Sequence, residues 1–157
     1  MANEHRDVTL QFSDRANSQL AATASIQFDG DELQTSALEK WFELRVLGHV
    51  GNQPANGTFR GGEEWMFQVD CYAHAGMSDP TSVGSVNTVW ELVDKVYAAF
   101  DRLKLSVVDW DTSGGGSAVG TLQFGRMEAD RVRTSMDMAG QTYMRVACTL
   151  LATFLPA

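Results

Sequence analysis

Glu64-Trp-Met-Phe-Gln-Val-Asp-Cys-Tyr-Ala-His-Ala75 sets Trp65, Phe67, Val69, Cys71 and Ala73 in alternation with Met66, Gln68, Asp70, Tyr72 and His74. A period of two puts the first set on one face of a β-strand and the second on the other, so the stretch reads as a strand with an apolar core face and a half-polar outer face. Upstream, Lys40–Val50 repeats the pattern, with Phe42, Leu44 and Val46 on one face and Trp41, Glu43, Arg45 and Leu47 on the other. Between them Gly51–Gly62 holds four glycines and Pro54, too many breakers for a regular element, so the two strands form a long hairpin with an irregular connection. Downstream, Val89, Leu92, Val93, Val96, Phe100 and Leu103 recur at three- and four-residue steps, which predicts an amphipathic helix. Thr88-Val-Trp-Glu91 fits a capping box at its start, and Glu91 with Lys95 makes an i,i+4 pair.

The rest of the chain reads mostly as sheet. Leu105–Trp110 is rich in β-formers, Thr112–Ser117 breaks the pattern with three glycines, and Val119–Met127 resumes an extended reading. Gln141–Leu155 has apolar residues at every second position from Met144 to Phe154, and the charged stretch Glu128–Gly140 before it reads as an extension of a hairpin. Near the start, Val8, Leu10 and Phe12 alternate like a strand while Phe12, Ala16, Leu20 and Ala24 step like a helix; with Ser13 or Asp14 as cap, a short helix from about Asp14 to Ala24 is expected. The fold class is therefore α+β: a mainly antiparallel sheet with one long amphipathic helix packed across it and a short N-terminal helix, residues 1–157 forming a single domain. The expected core is Phe42, Leu44, Val46, Trp65, Phe67, Val69, Val93, Val96, Phe100, Val146, Leu150 and Phe154.

Composition bounds the function. With 44% hydrophobic and 20% charged residues, the 157-residue chain has the usage of a folded domain. The formal charge of −8, with three lysines and nine arginines spread along the chain, disfavours specific nucleic-acid binding. No apolar run approaches the roughly 20 residues of a membrane helix, and none near the start suits a signal peptide. Cys71 and Cys148 lie far apart outside any metal-binding spacing and read as small buried apolar residues.

The candidate chemistry is thin. Ser113–Gly120 lacks the pattern and lysine of a phosphate loop, and His5, His49 and His74 stand near no recognisable nucleophile turn. Asp29-Gly-Asp-Glu32 lacks the later ligands of a calcium loop. Asp109 and Asp111, flanking Trp110, could together face a divalent ion, and carry the alternative reading of a small metal-dependent enzyme; solvated strand-end carboxylates are the plainer account. The four tryptophans each sit in a patterned segment and suit core or interface packing. No catalytic residue, cofactor or metal site is expected. Gly51, Pro54, Gly57, Phe59, Arg60, Gly61 and Gly62 are expected to form an assembly loop, since glycine and proline supply little apolar surface while Phe59 and Arg60 supply an anchor and a charge for a partner.

The order of segments is more informative than any one motif. Phe28-Asp-Gly30, Trp41-Phe-Glu-Leu-Arg-Val-Leu47, a Gly-rich connection into Phe59–Gly76, the helix Val89–Phe100 and a closing apolar strand resemble, over roughly Phe28 to Phe154, the tail terminator proteins of long-tailed bacteriophages. The resemblance implies a small subunit that assembles in the host cytoplasm into a hexameric ring on the end of the tail tube. Such a ring stops tube polymerisation and offers a docking face to the head–tail connector, with DNA passing only through its lumen. Two features depart from that family: the ambiguous first segment and the long charged stretch Glu128–Gly140. They keep a neighbouring neck component, an adaptor or stopper, as the alternative.

Overall fold

The computed structural model describes residues 4–29, 38–51, 62–74, 82–111, 116–136 and 140–157. In chain order these form α1 (Glu4–Leu20), β1 (Ser25–Gln27), β2 (Lys40–Gly51), β3 (Glu63–His74), α2 (Ser82–Phe100), β4 (Lys104–Val108), β5 (Ala118–Phe124), β6 (Glu128–Ala129), β7 (Arg133–Met136) and β8 (Thr142–Pro156). All eight strands belong to one sheet of order β1-β2-β3-β8-β5-β4, with β6 and β7 also paired to β8. Every pairing is antiparallel except β1 with β2.

The clean alternation of β3 and β8 explains why they are central. Phe67 stands opposite Leu150, Val69 opposite Cys148 and Cys71 opposite Val146, so two apolar rows merge on one face. β8 is long enough to pair β3 along one edge while β5, β6 and β7 follow one another along the other. The charged segment expected as a hairpin extension thus supplies β6 and β7. Near its end β8 passes so close to β5 that a Cβ on Gly120 would stand 2.5 Å from Phe154 Cζ, which only glycine avoids.

Two helices cover the apolar face, a coarser picture than one long helix with a short companion. Phe12 of α1 stacks on Phe67 with ring centroids 4.3 Å apart and meets Phe100 of α2 at 5.3 Å, joining both helices to the sheet in one core. The expected core residues are buried or, for Val46, packed against that core. Expectation failed at the helix starts. α1 spans Glu4–Leu20, not Asp14–Ala24, because Val8, Phe12, Ala16 and Leu20 make one buried stripe. The Ser13 hydroxyl, expected to cap, donates instead to the Thr9 carbonyl one turn back. α2 begins at Ser82, so Thr88 and Glu91 lie inside the helix and form no capping box. It ends where Arg102 takes a left-handed φ of 53°, leaving Leu103 outside the helix but against the core.

Candidate assembly interface

The face of the sheet that carries neither helix divides into two halves. At one end the outward residues of β2, β3 and β8 form a closed polar and aromatic network. Asp70 has 0% exposure and accepts hydrogen bonds from Arg145 Nη2 at 2.8 Å and Gln68 Nε2 at 2.6 Å, with Arg45 Nη2 at 3.8 Å. Glu43 accepts from the Tyr72 hydroxyl and from Arg45, each at 3.0 Å. Burial and the charges of Asp70 and Glu43 push the Tyr72 phenol well up, so it stays a donor. Trp41 stacks flat on Tyr72 at 4.8 Å, and His74 Nδ1 lies 2.5 Å from the Leu38 carbonyl. Both Asp70 oxygens thus find donors within the chain, while Trp41 Nε1 and Arg145 Nε are buried without a hydrogen-bond partner.

The other half is apolar and exposed. Met66 stands opposite Leu151 across β3 and β8, and Thr121 of β5 stands opposite Leu155; Met66, Leu151 and Leu155 are 41%, 52% and 43% exposed. A shallow cleft of about 460 Å³ runs between Glu64 of β3 and Gln123 of β5, floored by β8 from Leu151 to Leu155. Nearby on β2 a bulge between Val46 and Gly48 shifts the register, leaving Leu47 and Val50 exposed and setting His49 opposite Trp65. His49 stacks there on Trp65 at 4.8 Å, and His5 of α1 meets His49 at 4.1 Å.

The edges of the sheet also differ. β4 is capped by α1: Val108 N–H donates to Gln11 Oε1 at 3.4 Å and Trp110 N–H to Asp7 Oδ1 at 3.2 Å, which explains two buried polar residues on a helix. β2 pairs with β1 only from Trp41 to Glu43, and among the described residues no strand pairs with its outer edge from Leu44 to Gly51. Such an edge presents a row of backbone donors and acceptors to another chain.

The carboxylates flanking Trp110 keep contact with solvent, Asp111 more than Asp109, and both face Arg6. Arg6 Nη1 lies 2.5 Å from Asp111 Oδ1, and Arg6 Nη2 lies 3.0 Å from Asp7 and 4.0 Å from Asp109. Asp109 Oδ1 accepts the Asp111 N–H at 2.9 Å, closing a local turn. The hydrogen bond from Arg6 holds the Asp111 carboxyl below its usual range. Among the described residues no group of three or more His, Cys, Asp or Glu is arranged to hold a metal ion, and no helix is long and apolar enough to cross a membrane. Of the expected assembly loop, Gly51 ends β2 and Gly62 lies against β8, where an added Cβ would stand 2.5 Å from Thr153 Cγ2. Pro54, Gly57, Phe59, Arg60 and Gly61 lie outside the described residues.

No protein-family model matches the chain, and no curated protein matches it. Among solved structures, one whose name is a bare sequence identifier matches with a TM-score of 0.53 and 11% identity, over 98% of this chain and 95% of its own. At that identity the likeness speaks for the fold alone. The exposed patch had a signal that sequence reasoning passed over: Met66, Leu151 and Leu155 are apolar residues out of phase with the alternation of their own strands.

Proposed function

We propose that this chain is a structural virion subunit that closes into a ring on the end of a phage tail tube, ends tube polymerisation and presents the joining face to the head. The observation that supports the reading is the asymmetry of the sheet: α1 holds the end of β4 at Val108 and Trp110, and β2 from Leu44 to Gly51 is left for a partner beside an exposed apolar face. Cyclic rings are built from such unlike surfaces on one subunit. The segment order that resembles tail terminators supports the tail tube as the substrate of assembly, with six as the ring number. The ring's partners are copies of itself, the tail tube protein and a head–tail connector protein; it belongs to the tail or neck of the virion, and the connection Gly51–Gly62 reaches the tube.

An adaptor or stopper subunit has the same physical requirements and is the second reading. A small metal-dependent enzyme using Asp109 and Asp111 is the less favoured alternative, since Arg6 already bonds Asp111 and lies 4.0 Å from Asp109. Incubating the purified protein with tail tubes and viewing tube ends by electron microscopy tests the proposal. The expected result is a ring on one end and no further growth when tube protein is added. A protein that stays monomeric and leaves tube growth unchanged defeats it.

A further inference from the structure

Large apolar side chains are exposed on both sides of the molecule. On the sheet side lie Met66, Leu151 and Leu155 around the cleft. On the helix side, α2 turns Trp90 and Tyr97 outward, 39% and 44% exposed. Because α2 packs on the face of β3 and β8 opposite the cleft, the two patches lie on different surfaces of the molecule, Trp90 and Tyr97 along one flank of the helix. Large exposed apolar patches mark contacts with other chains, and tryptophan and tyrosine are favoured anchors there.

We infer that the two patches are halves of one contact: Trp90 and Tyr97 of one copy seat in the cleft over Leu151 and Leu155 of the next, with Met66 at its side. The inference rests on the ring reading above and names the surfaces that join its subunits. Dimensions agree. Trp90 and Tyr97 are seven residues apart on a helix, about 10 Å, and Leu151 and Leu155 are four residues apart on a strand, about 13 Å. Two anchors therefore meet two leucines at similar spacing.

Charge agrees as well. Beside the anchors α2 exposes Glu91, Asp94 and Lys95. Beside the cleft stand exposed Lys104, opposite Gln123 in the β4–β5 pair, exposed Arg126 next to Gly125, and Glu64. Two acids and one base face two bases and one acid, a complementary rim for a molecule whose copies otherwise repel at −8 each. Each copy offers one anchor side and one cleft side, so the contact is head-to-tail and closes into a ring when the rotation between neighbours divides a full turn.

Complementary variants test this. Trp90→Ala with Tyr97→Ala removes the anchors and keeps the cleft; Met66→Glu with Leu151→Glu spoils the cleft and keeps the anchors. All four positions are exposed, so circular-dichroism melts should match the wild type. Light scattering on a sizing column is expected to show a ring for the wild type, a monomer for each variant alone, and a one-to-one dimer and nothing larger when the variants are mixed. Trapping gives a second measurement that needs no loss of assembly: Trp90→Cys in one chain and Leu151→Cys in another should form a mixed disulfide dimer on oxidation, while the wild type, with its cysteines buried, stays uncrosslinked. Rings that persist in either variant, or a mixture that yields neither dimer nor crosslink, overturn the inference while leaving the ring reading in place. A wild type that is monomeric both free and with tail tubes defeats the ring reading itself, and the inference with it.

Discussion

Asp70 lies on the outward face of its strand and yet has no contact with solvent, because Arg145, Arg45 and Gln68 close over it. Arg145 and Arg45 keep 33% and 45% of their side chains exposed, so without Asp70 they can turn to water, and Asp70→Ala should destabilise by about 2 kcal/mol through its lost hydrogen bonds, read as a lower urea midpoint at unchanged slope. A loss under about 1 kcal/mol would mean the network is wetter than its geometry. Arg6 does similar work at the exposed end of α1. Its hydrogen bond lowers the Asp111 carboxyl below the usual value near 3.8, so the pair's contribution is present above that value and disappears as pH falls through the lower folded one. In Arg6→Ala the Asp111 carboxyl should titrate back up toward the usual value by NMR. A midpoint that does not move would assign the lowering to some other group.

Among the elements, α1 departs furthest from expectation. Phe12 touches Phe67 below it and Phe100 beside it, so Phe12→Ala should cost roughly 3–5 kcal/mol in thermal or urea unfolding, as much as a core residue of the sheet. An effect under about 1 kcal/mol would show that α1 only rests on the surface. β3, β8, the second half of α2 and β2 as far as its bulge after Val46 were legible because their core-facing apolar residues keep one period. The first turns of α1 were hidden because Asp7 and Gln11 are buried there, accepting from the Trp110 and Val108 backbone N–H, which no pattern of hydrophobicity registers. The first turns of α2 were missed because Ser82, Gly84 and Ser85 carry no apolar period of their own. The same reasoning explains the two carboxylates beside Trp110: their partner, Arg6, is 105 residues from Asp111 in sequence and comes near only when α1 docks.

For the whole molecule, the proposed ring of six copies would carry a formal 6 × −8 = −48, which would suit a conduit that lets DNA pass without holding it. The Gly-rich connection is assigned a task in assembly and none in folding. Shortening Asn52–Gly57 should therefore leave the melting temperature of the isolated chain unchanged and reduce its capture by tail tubes; full capture by the shortened chain would remove that assignment. β8 has a different kind of consequence, in the timing of synthesis. β3 pairs along its length with β2 on one side and β8 on the other; β2 precedes it in the chain, but β3 ends at His74 while β8 ends only at Pro156. At a translation rate of about 5–20 residues per second, β3 waits roughly 4–16 s for that partner. Throughout the wait its apolar row has no β8 beside it, and any other extended chain with a free edge competes for the place. The nascent subunit is thus most prone to mispairing before β8 is made, and a holding chaperone that binds alternating apolar segments has its target in Glu63–His74.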